Sequence, residues 1–308
     1  MICIAGPTGS GKTAVALALA KVLPLTVVNA DSRQVYADFP LITAQPSATL
    51  RAACPHVLYG FLGSAEKLGA GEYARLAGEA LTKIAAEGRV PALVGGTGLY
   101  FRALLEGLAP IPAVPQEIAT AWQDRCRLEG SAALHALLTA CDPVYAAKIH
   151  PNDRQRITRA LEVHEATGRS FSWWHDRAAK PSPYRPCKVG LGMSLAELEP
   201  LLARRIDAML AEGALIEARA ALERCPDPRA PGWSGIGCAE VYAHLVGRLT
   251  LEECRALWLK NTRAYAKRQL TWFRADKGIR WFRPDQVEEI VEYVLSSVSM
   301  LKFPVIQP

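Results

Sequence analysis

The 308-residue chain holds no apolar run approaching the roughly 20 residues that a membrane-spanning helix needs, because Lys, Pro or Gly interrupts each one well short of that. No span is expected. None of its eight cysteines (positions 3, 54, 126, 141, 187, 225, 238 and 254) forms a C-x-x-C pair, which argues against a zinc site or a disulfide framework. The thiols read as buried or incidental groups in a reducing cytoplasm. The first residues already read as a strand, so no leader peptide is expected. No internal repeat stands out, and no further hydrophobic run ends in Asp-Glu as a motor-type nucleotidase would require.

Half of the residues are apolar, ample for a real core, and the length allows one α/β domain of usual size plus something extra. The most specific pattern comes first in the chain. The apolar run Ile2-Cys3-Ile4-Ala5 leads into Gly6-Pro7-Thr8-Gly9-Ser10-Gly11-Lys12-Thr13, and an Ala/Leu/Val-rich stretch follows over 14–23. Strand, glycine loop and helix are thus written in order. In G-x-x-x-x-G-K-[ST] the glycines let successive backbone N–H groups converge on one anion, Lys12 adds a point charge, and Thr13 Oγ is placed to hold Mg²⁺. The pattern predicts a phosphate cradle without saying what the phosphate is attached to.

The runs Leu25–Ala30 and Val90–Val94 read as buried parallel strands, ending respectively at Asp31 and at Gly95-Gly96-Thr97-Gly98. Ligands of open α/β sheets bind outside the carboxyl ends of the strands, so Asp31 and Thr97 are expected on the rim that carries the cradle. Asp31 has two readings at this point. It could hold Mg²⁺ through water as in many nucleotidases, or, with Ser32-Arg33-Gln34-Val35-Tyr36 behind it, it could act as a general base facing a nucleophile.

The prolines of 109–115 break the alternation, and mostly helical segments follow. His150-Pro151-Asn152-Asp153 predicts the start of a helix that runs to Gly168 as its cap, with Arg154, Arg156 and Arg159 in its first turns. The loop 180–186 then leads into a return strand over 187–191. The expected fold is therefore α/β: a P-loop NTPase-like parallel sheet flanked by helices (1–115 and 186–308) with an inserted small helical domain over 116–185. Helices are expected at about 195–223, 237–246, 250–276 and 285–300.

Net charge is only +6, but residues 263–283 carry Arg263, Lys267, Arg268, Arg274, Lys277, Arg280 and Arg283 against Asp276 alone. On a helix over 250–276, Lys260, Arg263, Lys267, Thr271 and Arg274 fall within about 80° of one another, giving a cationic stripe. Trp258, Tyr265, Trp272 and Phe273 interleave with it, as suits a nucleic-acid strand with exposed bases. Trp258 and Phe273 read equally as core anchors, the use favoured for both.

Five blocks together resemble one family. They are Gly6–Thr13, Asp31–Tyr36, Gly95–Tyr100, His150–Arg156 and Lys267–Arg274, and in order and spacing they are similar over nearly the whole chain to the bacterial tRNA dimethylallyltransferases, the tRNA isopentenyltransferase family. The resemblance implies transfer of a five-carbon group from dimethylallyl diphosphate to N6 of adenosine 37 beside the tRNA anticodon, releasing diphosphate. It implies Mg²⁺ as cofactor, a monomer, and Asp31 as general base, with Thr97 at the reaction centre. Diphosphate would lie on Gly6, Pro7, Thr8, Gly9, Ser10, Gly11, Lys12 and Thr13, with Thr13 on the metal and Arg205 as an added cation. The tRNA anticodon stem-loop would meet Asp31, Ser32, Arg33 and Gln34; Gln155, Arg156, Ile157, Thr158 and Arg159; and Lys267, Arg268, Gln269, Leu270, Thr271, Trp272, Phe273 and Arg274, with the insert 116–185 as a clamp. The chain departs from the family pattern at Cys238-Ala239-Glu240 and at Ala119, where basic or polar RNA contacts are common.

Other readings remain open at this stage. They are a P-loop kinase using ATP with Asp31 as base for a hydroxyl, an isopentenyltransferase for free adenine nucleotide, and an RNA-stimulated NTPase switch. The first leaves the basic segment 263–283 without a purpose.

Overall fold

The computed structural model describes residues 1–177 and 183–299, which divide into two compact units, residues 1–105 with 183 onward, and residues 106–182. In the first unit β1 (Ile2–Ala5) runs into α1 (Lys12–Ala20), β2 (Leu25–Asn29), α2 (Ala48–Ala53), β3 (His56–Val57), α3 (Ala70–Ala86), β4 (Val90–Gly95) and α4 (Gly98–Leu105). The second unit holds α5 (Gln116–Glu129), α6 (Ser131–Cys141), α7 (Pro143–Ala146), α8 (Arg154–Thr167) and α9 (Phe171–His175). The chain returns to the first unit with β5 (Cys187–Leu191), α10 (Leu195–Ala211), α11 (Ala214–Arg224), α12 (Cys238–Leu245), α13 (Leu251–Arg274), β6 (Arg280–Phe282) and α14 (Val287–Ser299).

The six strands form one parallel sheet in the order β3-β2-β4-β1-β5-β6. Its strands alternate between two cores, as the two-residue period of a strand requires. Ile2, Ile4, Leu25, Val27, Ala92 and Val94 face α1 and α14, whereas Cys3, Ala5, Val28 and Leu93 face α3 and α4. Burial on both faces explains why these runs are continuously apolar. A third core packs Phe39, Ile42, Trp233 and Trp258 between the segment after β2 and helices α10 to α13. All eight cysteines are free, six of them buried. Burial pushes the Cys3 thiol up to about 12, so it stays protonated.

In the second unit Asp153 caps α8 by accepting from the Arg156 N–H at 3.1 Å, and Gly168 ends the helix in the left-handed region at φ 64°. Cys126, Leu134, Leu138, Ile157 and Leu161 form its separate core.

Two points of the sequence reading need correction. The helix expected over 195–223 is two helices, because the chain turns at Gly213 with φ 109°, which breaks the α10 hydrogen-bond ladder. Strands β3 and β6, two and three residues long, were not expected, since runs so short carry no readable alternation. Part of the expected loop 180–186 and the last residue of the expected helix 285–300 lie outside the described residues.

The register Leu25↔Val90 and Ile2↔Ala92 brings the ends of β1, β2 and β4 to one rim. There Gly95 lies so close to β2 that a Cβ would fall on the Ala30 carbonyl. Gly95→Ala should therefore destabilise the fold by about 1–3 kcal/mol or more through overpacking, read as a lowered urea midpoint at unchanged slope.

Candidate active site

The glycine loop curls as its sequence demands. Gly9 and Gly11 take φ of 80° and 83°, conformations that a side chain disfavours, and Gly11 delivers the chain into the first turn of α1. Ser10 N–H donates to the Pro7 carbonyl at 3.3 Å to close the turn. Lys12 folds back over the loop, its Nζ donating to the Gly6 and Pro7 carbonyls at 3.0 and 2.7 Å. Burial pushes the Lys12 ammonium down to about 8, opposed by the nearby Asp31 carboxylate and reinforced by the Arg205 cation. Arg205 reaches in from α10, with Nη1 3.4 Å from Thr8 Oγ1, and burial lowers its pKa while Asp31 opposes the shift. The acid two residues on, Asp207, is bound to Arg255 instead. Lys12 and Arg205 are thus two half-buried cations near the Asp31 carboxylate, a field that favours an incoming anion.

A cavity of about 420 Å³ opens over this arrangement, lined by the loop residues Thr8 to Thr13 together with Asp31, Gln34, Tyr59 and Arg205. Behind the loop the buried Ser10 hydroxyl has no hydrogen-bond partner among the described residues. Burying such an unsatisfied group is costly. The donor set also suits Mg²⁺. The exposed Thr13 hydroxyl opens the first turn of α1 beside the anion site, and Mg²⁺ is commonly held by few protein oxygens together with phosphate oxygens and water. No cluster of three His, Cys, Asp or Glu side chains suited to a metal exists among the described residues.

Asp31 stands at the end of β2 on a built support. Its backbone N–H donates to Asn29 Oδ1 at 2.8 Å, and its Oδ1 accepts from the Arg33 N–H at 2.8 Å. The fully buried Asn29 also donates to the Asp31 and Leu58 carbonyls, at 3.0 and 2.9 Å. Thr97 faces this turn from β4. Its Oγ1 accepts from the Ser32 N–H at 2.9 Å and lies 3.3 Å from Ser32 Oγ, while its own N–H donates to the Ala30 carbonyl. The structure therefore places a hydrogen-bonded Ser32–Thr97 pair beside Asp31 at the rim.

Tyr265, half-buried on α13, joins that group. Burial drives its phenol up to about 12, with Asp31 acting in the same direction, and its hydroxyl interacts with the side chains of Thr97 and Gln269. The sequence reading had Tyr265 only as one aromatic among several. Its site role was legible in principle, because it lies four residues before Gln269 on the same helical face.

Helix α13 has an outer and an inner face. Its start is fixed by a reciprocal cap in which Thr250 N–H donates to Glu253 Oε2 at 2.8 Å and Glu253 N–H donates back to Thr250 Oγ1 at 3.2 Å. Lys260, Arg263, Lys267, Arg268, Thr271 and Arg274 are exposed, and Trp272 is 40% exposed. The stripe is less free than its sequence suggests, because Arg263 pairs with Glu199 at 2.7 Å. Nearby, Arg283 pairs with Glu197 at 3.1 Å. Arg268 lies over the Tyr265 ring at 5.7 Å.

Gln269, Leu270 and Phe273 are buried, at 3%, 5% and 3% exposure, so the expectation that they touch RNA is corrected. Phe273 packs edge-on against Phe101 in the core, and Trp258 is likewise buried. In the second unit Gln155 and Arg156 are exposed, whereas Ile157 and Thr158 are buried at 0% and 7% and cannot present side chains to a partner. Arg159 is held 3.2 Å from Glu162.

Two further expected contacts are partly committed elsewhere. Arg33 donates to the Pro231 carbonyl and to Ser234 Oγ at 3.2 and 3.0 Å, and the Gln34 amide donates to the Thr43 and Ala44 carbonyls at 2.9 and 2.7 Å. The departures at 238 and 240 have a structural use. Cys238 is fully buried, and Glu240, 4% exposed, accepts from the Gly237 N–H and from Asn261 Nδ2 at 2.6 Å each.

Comparison with known proteins places this geometry. The IPP transferase family model matches residues 34–276. A tRNA dimethylallyltransferase of Nitratidesulfovibrio vulgaris is 60% identical over 96% of each chain, and one of Oleidesulfovibrio alaskensis is 57% identical over 91% of this chain and 92% of its own. Among solved structures, the full-length tRNA isopentenylpyrophosphate transferase of Bacillus halodurans is similar with a TM-score of 0.71 at 34% identity, covering 97% of this chain and 96% of its own. A eukaryotic dimethylallyltransferase, described as acting on tRNA, is similar with a TM-score of 0.82 at 26% identity, covering all of this chain and 81% of its own. With the rim of β1, β2 and β4 carrying the phosphate loop, Asp31 and Thr97 in a P-loop fold, the chain belongs to the IPP transferase family.

Proposed function

We propose that this enzyme transfers the dimethylallyl group of dimethylallyl diphosphate to N6 of adenosine 37 in the anticodon loop of tRNA, acting as a cytoplasmic monomer. The observation that carries the reading is the pairing of an anion cradle with a carboxylate turn on one rim, Lys12 and Arg205 on one side and Asp31 with Thr97 on the other. A helix with an exposed cationic face extends from the same unit, which supports an RNA acceptor over a free nucleotide.

The chemistry follows from charge. When the allylic C–O bond breaks, its electron pair leaves on the diphosphate, and preorganised donors are worth most where that charge develops. The loop amides, Lys12 and Arg205 are those donors. Thr13 Oγ would hold Mg²⁺, which would supply further neutralisation of the leaving group.

Adenine N6 is a weak nucleophile because its lone pair is delocalised into the ring, so alignment counts as much as basicity. Asp31 accepts a hydrogen bond from the N6 amine, and takes its proton as the N–C bond forms. Its Oδ1 is steadied by the Arg33 N–H, which leaves Oδ2 for the amine. Thr97 and Tyr265 hold the turn and line the acceptor end with hydroxyls. A loop adenosine can be splayed from its stack and read on its edges, as single-stranded RNA recognition requires. Lys267, Arg268, Thr271 and Arg274 on α13, and Gln155 and Arg156 of the second unit, offer the phosphate and sugar contacts.

Incubation with dimethylallyl diphosphate, Mg²⁺ and an anticodon stem-loop bearing consecutive adenosines should add one five-carbon unit, read by mass analysis of the RNA; an unmodified RNA refutes the proposal. Asp31→Asn should lose about 10²–10⁴-fold in turnover while RNA affinity stays near wild type. Lys267→Ala should weaken RNA binding and flatten its log–log salt dependence by about 0.7–0.9, so an unaltered slope removes Lys267 from the phosphate contacts. Chelation of divalent ions should abolish transfer and leave RNA binding in place, measured by rapid quench and filter binding respectively.

A further inference from the structure

Gln269 is the one member of the Lys267–Arg274 block whose polar side chain points inward. Its Oε1 accepts from the Thr8 backbone N–H at 2.9 Å, and its Nε2 donates to the Gly96 carbonyl at 2.9 Å. A single carboxamide therefore spans from the phosphate loop to the loop that carries Thr97, crossing 261 residues of sequence on one side and 173 on the other.

The contact is built rather than incidental. Gln269 is 3% exposed, and a buried amide with both polar atoms satisfied is held in one orientation, since a flip would set its NH₂ against the Thr8 N–H and its oxygen against the Gly96 carbonyl. Gly96 has no room for a side chain, because a Cβ there would fall on Gln269 Nε2. Two residues on, a Cβ at Gly98 would fall on the Trp272 ring, so the whole 96–98 turn is packed onto α13.

We infer that Gln269 is a positioning residue that fixes the separation between the diphosphate cradle and the Asp31–Thr97 acceptor end. The inference rests on the prenyl-transfer reading. An allylic fragment must bridge those two ends, with its carbon in reach of the amine at the instant the C–O bond breaks. Misplacement of one end by about 1 Å costs on the order of 10²-fold in such reactions. It also changes what happens to the fragment. If the cradle still promotes departure of the diphosphate while the amine is out of line, water can form the new C–O bond and release a proton, giving the five-carbon alcohol and diphosphate in place of prenylated RNA.

The ratio of alcohol to prenylated RNA is the discriminating measurement, since partial misfolding lowers both products together and leaves their ratio alone. Wild type, Gln269→Leu and Gly96→Ala are compared under single-turnover conditions with labelled dimethylallyl diphosphate, Mg²⁺ and the anticodon stem-loop. Gln269→Leu keeps the volume and removes both hydrogen bonds; Gly96→Ala displaces the amide from the opposite side. The expected result is a fall in the transfer rate of about 10²-fold with a rise of about tenfold or more in the alcohol-to-RNA ratio in both variants, and pyrophosphate and RNA affinities within about threefold of wild type. A ratio within twofold of wild type in the folded variants overturns the inference and leaves the transfer reading intact. A wild type that prenylates no RNA overturns the reading and the inference with it. Should Gln269→Leu fail to fold, Gly96→Ala decides alone.

Discussion

The parallel pairing of β4 with β1 on one side and β2 on the other is the constraint from which the site follows. Because all three strands point the same way, their carboxyl ends deliver the phosphate loop, Asp31 and Thr97 to one rim without any further device. The close approach of Gly95 to the Ala30 carbonyl and the bond from Thr97 N–H to that same carbonyl then lock the rim at atomic scale. The sheet decides which residues meet, and these backbone contacts decide how closely.

Meeting has an electrostatic consequence. Lys12 and Arg205 are brought together near Asp31, whose charge favours both cations while burial disfavours the charge on each. The Lys12 ammonium donates to the Gly6 and Pro7 carbonyls, which partly offsets that cost. A bound anion would supply a better partner, so the cost of assembling these cations becomes binding energy directed at charge. Under the proposed function the same arrangement would serve a leaving diphosphate better than a neutral substrate, because its interactions strengthen as negative charge grows.

Most of the rim was legible from sequence, because strand ends and a glycine loop are local patterns with topological consequences. The long-range partners were not. Nothing near Arg205 in sequence points to Thr8, and only the family resemblance assigned it to the cradle. The missed burials have a different origin. Contiguous motif blocks were carried over whole, although a helix turns its residues through 100° each; Gln269 lies about 160° round from Lys267 and so belongs on the opposite face. The same geometry buries Ile157 between exposed Arg156 and half-exposed Arg159. The 3.6-residue period of the helix separates the two classes inside the motif as it does in the stripe.

That separation gives α13 two duties that do not compete. Its outer cations are solvated, and the Arg263–Glu199 pair is about half exposed on both partners, so its net worth is of the order of 0–1 kcal/mol and, under the proposed function, an RNA phosphate would replace the glutamate at little cost. Its inner face holds Phe273, Leu270 and Gln269 in the packed interior, where the carboxamide is bonded on both sides, to the Thr8 N–H and to the Gly96 carbonyl. An RNA can therefore rearrange the surface of the helix while the spacing of the reaction site stays set by its interior. A contact weak enough to exchange and a contact too buried to move are both needed for an enzyme that must bind a large polyanion and still align two small reacting groups.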